Sequence, residues 1–452
     1  MRARTWLAVV CALVAIPASA AGHAELGSAG RSTDGGIRLL FSAPIEAAFA
    51  QAVATAPGGS SSPAGTRRDP LDDHALLVDA PGNTVALTWR VLSRDGHVTS
   101  GLSTFPVPGA AALVRLAPGS DGDGPLMVVG DGLVFIGLLG LLGMLALRFV
   151  VIGPAWRSGG PRPPGSGDPA PWRGITEGPL RAAARRWWRA WWALVPIGAA
   201  GLVVTAVALL RALHADAADL GTLLTDTRWG ATWIVQAAGV GAAAALAGLL
   251  RSRARDAFAP DPPRRWGVAI GSALVAAGVA ISWSAHAVSG TDASFGVGID
   301  AIHLIAGGVW LGGLAGLLTI VPRARRDLGA SDGLRLSAAI VVRFSALAIA
   351  CVGILVVTGV YRALAELRSF SDLVDTGYGQ ALLVKLVIFG VLLIGGVYNR
   401  LVLHPRLERA ALGLRPDDGG AGERLRVSVT AEIVVAVALI AVVAVLVSLP
   451  PP

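Results

Sequence analysis

The sequence predicts a mixed architecture: a small all-β sandwich followed by an all-α polytopic membrane bundle of eight spans. Three observations predict it. The chain has 452 residues, of which 54% are hydrophobic and 15% charged, a balance that belongs to membrane proteins. Its first quarter holds short alternating runs broken by Gly, Pro and Asp. Behind them come eight apolar runs, each long enough to cross a bilayer.

The first residues read as a secretory signal. Arg2 and Arg4 precede an apolar stretch from Trp6 to Ile16, and Pro17-Ala18-Ser19-Ala20 ends in an A-x-A pattern. Cleavage after Ala20 or after Gly22 leaves His23 at, or two residues behind, the new terminus. The domain plan is a signal peptide over 1–22, a β-sandwich over 23–117, a linker over 118–126 and a membrane domain over 127–452. Within the sandwich, Ile37 to Glu46, Ala75 to Ala80, Thr84 to Ser93 and Gly101 to Val107 read as strands. Residues 55–72, rich in Gly, Ser and Pro, read as a loop.

The spans are expected near 127–152, 191–213, 229–250, 266–284, 296–321, 339–363, 380–402 and 427–449. Arginines set the orientation. They crowd the loops after spans 1, 3, 5 and 7, from Arg157 to Arg189, Arg251 to Arg265, Arg323 to Arg335 and Arg406 to Arg426. The other loops carry mainly acids, including Asp216, Asp292, Glu366 and Asp375. The β domain and the C-terminus are therefore expected on the extracytoplasmic side of a cell membrane. The run from Arg185 to Trp192 reads as an interfacial belt facing headgroups. The net charge of +8 is absorbed by these topology determinants, so no nucleic-acid partner is expected. The partners implied are the bilayer and a metal ion.

Only Cys11 and Cys351 are cysteines, and Met1, Met127 and Met144 are the methionines. No disulfide and no thioether-rich site fits the β domain. Its candidate metal ligands are His23, Asp95 and His97, with His74 as a further option. Two imidazoles, a carboxylate and a nearby amino terminus suit tetragonal Cu(II) better than tetrahedral Zn(II). In the membrane part, ionisable residues inside spans are costly and mark sites. Asp300 and His303 share a helix face, and His286 ends the preceding span on the same side. Asp131 and Lys385 lie toward that side as well. Together they predict a polar pocket just below the β domain. Arg343, Asn399, Arg400, His404 and Glu432 gather near the opposite ends, where a gate or scaffold role is expected. The chain has no phosphate loop, nucleophile triad or HExxH motif, so neither an enzyme nor an ATP-driven pump is expected.

His23-Ala24-Glu25-Leu26, the Asp95-Gly96-His97-Val98-Thr99-Ser100-Gly101 turn and Phe105 resemble the copper-resistance protein CopC. The run from His303 to Leu314, Arg343-Phe344-Ser345, Thr376 to Leu386, Asn399-Arg400 with His404-Pro405, and Ser428 to Glu432 resemble its membrane partner CopD. The resemblance implies an Ig-like or cupredoxin-like sandwich fused to a CopD-like bundle. It implies Cu(II) held by His23, Asp95 and His97, and copper movement toward or across the membrane. The intramembrane residues themselves suggest a path along His303, Asp300 and His286, with copper there open to reduction to Cu(I). Two other readings stay open. One is a copper sensor or chaperone that supplies a membrane cuproenzyme. The other is a haem-bearing electron-transfer protein.

Overall fold

A computed structural model describes residues 24–32, 35–94, 96–105, 124–158, 177–253, 264–284, 293–319, 330–412, 414 and 420–449. The expected signal segment, His23, Asp95 and His286 lie outside the described residues.

Seven antiparallel strands come first: β1 (Leu26–Arg31), β2 (Ile37–Phe41), β3 (Ile45–Thr55), β4 (Ser61–Asp69), β5 (Asp72–Asp79), β6 (Ala86–Ser93) and β7 (Val98–Thr104). They form one hydrogen-bonded sheet in the order β1-β2-β5-β4-β3-β6-β7. The sheet folds over itself, so β2 and β5 pack on β6 as the two layers of a near-barrel. Alternation explains the core. Ile37, Leu39 and Phe41 of β2 point inward beside Leu76 and Val78 of β5, against Leu87, Trp89 and Val91 of β6. The Trp89 and Phe41 rings meet edge to face at 5.1 Å, and Trp89 Nε1 donates to Ser103 Oγ at 3.1 Å, which satisfies its buried polar tip.

The expectation of an unstructured loop over 55–72 is corrected by β4. Its sequence, Ser-Ser-Pro-Ala-Gly-Thr-Arg-Arg-Asp, has no apolar alternation, and no residue on it is fully buried. The strand exists because β3 and β5 pair with it on both edges. Ion pairs across the sheet add to this, with Arg38 contacting Asp69 at 3.0 Å and Asp72 at 2.7 Å. A backbone N–H from Leu71 and the Arg38 guanidinium hold the Asp69 carboxyl below the usual carboxylate range. A depressed folded-state value contributes stability that is present above about pH 4 and is lost as the pH falls through that lower value. The protection factors of the β4 and β5 amides in the full chain, corrected for the intrinsic pH dependence of exchange, should therefore fall in acid. Asp69→Asn should remove that acid-dependent component of the protection.

Among the described residues, eight helices are long and apolar enough to span a bilayer: α1 (Pro125–Trp156), α2 (Arg185–Ala212), α3 (Arg228–Ser252), α4 (Arg264–Trp283), α5 (Phe295–Thr319), α6 (Gly333–Glu366), α7 (Gly377–Ala411) and α8 (Glu423–Val447). The helix α1 is the hub, packing on α2, α4, α5 and α8. It reaches α5 through glycines. A Cβ on Gly143 would lie 2.1 Å from the Gly312 carbonyl carbon, and one on Gly312 would lie 2.1 Å from the Leu139 oxygen. Small residues allow such backbone approach in membranes, where packing replaces the hydrophobic drive. Gly143→Ala should destabilise the bundle by about 1–3 kcal/mol, the usual cost of overpacking. Gly396, with open space around it, provides the control: Gly396→Ala should leave the thermal midpoint in detergent near the wild-type value.

The expected interfacial belt is also corrected. Trp187, Trp188 and Trp191 are buried within the bundle core. Trp187 stacks on Trp191 at 5.2 Å and donates from Nε1 to the Met144 carbonyl at 3.1 Å. The aromatic cluster glues α2 to α1. Composition could not separate a lipid-facing belt from an inward one, because both place Trp beside Arg.

Candidate functional site

The β domain sits directly on one end of the bundle. Phe49, Leu92 and Val98 from the sheet share an apolar cluster with Met127, Leu209, Leu213 and Leu223. Gln51 Nε2 donates to the Leu213 carbonyl at 3.0 Å, and the Glu46 carboxylate accepts from the Arg228 N–H at 3.0 Å, the first residue of α3. That acid meets the positive end of the helix dipole. Arg90 donates to the His214 ring in the loop between α2 and α3.

The turn between β6 and β7 lies at this junction. Ser93 N donates to the His97 carbonyl at 2.8 Å, and Gly96 N to the Ser93 carbonyl at 3.0 Å. Gly96 has φ +96°, and a Cβ there would stand 2.6 Å from Cδ1 of Trp229 on α3. Two demands, a left-handed backbone and close approach to an indole, call for glycine inside the Asp-Gly-His motif. The result is that buried His97 faces the bundle. Chain segments that flank the other head-domain candidates converge on the same end. Glu25 exchanges bonds with Ser42, through Glu25 N to Ser42 Oγ at 3.0 Å and Ser42 N to the Glu25 carbonyl at 2.8 Å, while Arg94 N reaches the Pro44 carbonyl at 3.0 Å. His74 Nδ1 lies 3.3 Å from the Phe41 carbonyl. Buried Ala24, next in sequence to His23, packs in the β core.

Beneath His97 a cavity of about 440 Å³ runs into the bundle. His97 and Met127 line its head; Asp131, Asp300, His303 and Lys385 also line it. The structure thus brings together His97, Asp300 and His303, the predicted members that are described, with the two ionisable neighbours weighed beside them. Among the described residues no three His, Cys, Asp or Glu side chains form a ready metal cluster.

Across the cavity, α5 and α6 run antiparallel and pair residue by residue. Asp300 Oδ1 lies 3.7 Å from Arg362 Nε. Arg362 also pairs with Glu366 one turn on, and the Tyr378 hydroxyl donates to Glu366. Lys385 on α7 lies close enough to act on Asp300 and Glu366 electrostatically. His303 Nδ1 is 2.8 Å from Thr358 Oγ1, whose hydroxyl also lies 2.7 Å from the Ile354 carbonyl. A carbonyl only accepts, so the single hydroxyl proton is committed to Ile354 and Nδ1 of His303 must be the donor. In the neutral ring the other nitrogen, Nε2, then keeps its lone pair. A ring oriented by a hydrogen bond at one nitrogen, with the other left as donor atom, is the arrangement metal-binding histidines use.

The acids Asp131, Asp300 and Glu366 outnumber the bases Arg362 and Lys385 by three to two along this lining. The lower wall is aromatic: Trp310, in a π-helical turn of α5 over Gly308–Gly312, meets Phe389 edge to face at 5.8 Å.

Sequence reasoning missed Thr358, Arg362, Glu366 and Tyr378, and read Glu366 as a loop acid. The helix runs on through it because Arg362 and Tyr378 satisfy its carboxylate. The spacing of Thr358, Arg362 and Glu366, four residues apart on one face, was the available signal. Met127 was likewise set aside because it lies in a span rather than in the β domain.

These features define a polytopic membrane protein whose β domain closes the head of a charged intramembrane cavity. Residues 25–108 match the CopC domain family and residues 338–446 match Copper resistance protein D. These matches support a CopC-like domain placed ahead of a CopD-like membrane region. The chain is similar to the copper transport protein CutJ of Bacillus subtilis (strain 168), at 24% identity over 435 residues, covering 89% of this chain and 72% of the relative. No solved structure matches it.

Proposed function

We propose that this protein captures Cu(II) on its extracytoplasmic β domain and passes copper through the cavity into the membrane bundle. The observation that carries the reading is the single cavity reaching from His97 to His303. His23, Asp95 and His97 are the head ligands, and His303 is the receiving imidazole, with Asp300 and His286 beside its path. Donor softness changes along the way. Carboxylate and imidazole in the head suit Cu(II), while the Met127 thioether and the His303 imidazole suit Cu(I). The electron comes from an external reductant. The carboxyl groups of the lining draw the cation inward, and the Asp300–Arg362 contact opens as the ion takes the place of the guanidinium. Families of copper-resistance proteins and a relative named as a copper transporter support the same direction of reading.

The test is copper flux into sealed vesicles carrying the purified full chain, with and without ascorbate. Flux above protein-free vesicles, faster with ascorbate, is the expected result. Copper bound by the protein without any flux would instead identify a supplier of copper to a membrane partner.

A further inference from the structure

A second polar site lies at the end of the bundle away from the β domain. Beyond Arg426, α8 is uncharged except for Glu432, placed about 13 Å along the helix from Glu423 at 1.5 Å per residue. Glu432 is 9% exposed. Its carboxylate accepts a hydrogen bond from the Asn399 amide of α7, and the Asn399 oxygen accepts from Ser428 Oγ at 2.8 Å. Gly395 makes room for it, since a Cβ there would be 3.0 Å from Glu432 Oε1. Asn399 opens a π-helical turn over Asn399–Leu403, a distortion that recurs at functional sites.

Among the described residues, the partners of Glu432 are neutral, and no charged neighbour acts on its carboxyl. The elements packed most extensively on α8 are α7 and α1, and its two ends also join apolar clusters that include α6 residues. On α7, Arg400 donates to His404 Nδ1 at 2.5 Å. On α1, the Arg148 guanidinium lies over the Phe149 ring at 6.0 Å. On α8 itself, Arg426 is engaged by Glu423. An ionised carboxylate in hydrocarbon needs a balancing charge, and none of these supplies it. The carboxyl is neutral, or a cation sits beside it. All the donor atoms around it are oxygens, which favour hard cations over cuprous copper. The cation that fits is the proton.

We infer that Glu432 is a proton-exchange site at the far end of the bundle, loading and releasing one proton as copper passes. It rests on the transport reading above and adds the coupling ion. The proton moves between the carboxyl and water at that face, and no covalent bond to copper forms.

The test has two arms on the full chain. Dicyclohexylcarbodiimide reacts with protonated carboxyls in apolar surroundings. It should modify Glu432 near neutral pH, less so in alkali, and peptide mass spectrometry should find no adduct at that position in Glu432→Gln. In vesicles, a pH gradient should alter wild-type copper flux several-fold. Glu432→Gln, which keeps the shape and the Asn399 contact, should show no gradient response, and Glu432→Asp should restore part of it. Failure of the label to modify Glu432, or a Glu432→Gln protein that still responds to the gradient, overturns the inference. Vesicles without any copper flux would defeat the transport reading, while the labelling arm would still decide whether Glu432 exchanges a proton.

Discussion

His303→Ala should lower the maximal copper flux of reconstituted vesicles by well over tenfold and leave the half-saturating copper concentration nearly unchanged. The ring sits in the cavity with Nδ1 tied to Thr358 and Nε2 left as the donor atom. Removing it deletes the receiving ligand after the ion has left the head domain. Thr358→Val provides the graded companion. It keeps the shape and removes the acceptor that sets the ring's tautomer. Losing an outer partner of a metal-binding histidine costs about 10–100-fold in affinity or activity, so Thr358→Val should fall between wild type and His303→Ala. A Thr358→Val protein as fast as wild type would show that the tautomer of His303 plays no part.

The second large effect belongs to the head. His97→Ala should raise the half-saturating copper concentration by about 100-fold, equivalent to about 2.7 kcal/mol, and leave the flux at saturating copper close to wild type. The two variants separate because they act at different stages: His97 at capture, His303 at conduction. The copper EPR signal of the full chain under oxidising conditions should lose an imidazole contribution in His97→Ala and keep it in His303→Ala. If both variants changed only the maximal rate, capture and conduction would not be separate stages.

Much of this arrangement could be read before the fold was known. The spans were legible because apolar runs of bilayer length have few other uses. Asp300 and His303 stood out because ionisable residues are rare in spans and three residues apart they share a face. Their partners were less visible. Thr358 and Arg362 matter only because α6 runs antiparallel to α5 at that register, which is a tertiary fact. The strand β4 was invisible for the same reason, since its neighbours rather than its own sequence make it a strand. Trp187, Trp188 and Trp191 misled because composition does not say which way an indole faces. Gly96 lies between these cases. Its motif announced a turn, and only the fold revealed that Trp229 stands where its side chain would be.

The measurement that bears most directly on the cavity is X-ray absorption of copper bound under reducing conditions to the full chain carrying His97→Ala. With the head weakened, the account predicts copper still bound in the bundle, with imidazole scattering that disappears when His303→Ala is added. Copper absent from the single variant, or a spectrum unchanged by the loss of His303, would contradict a route through this cavity.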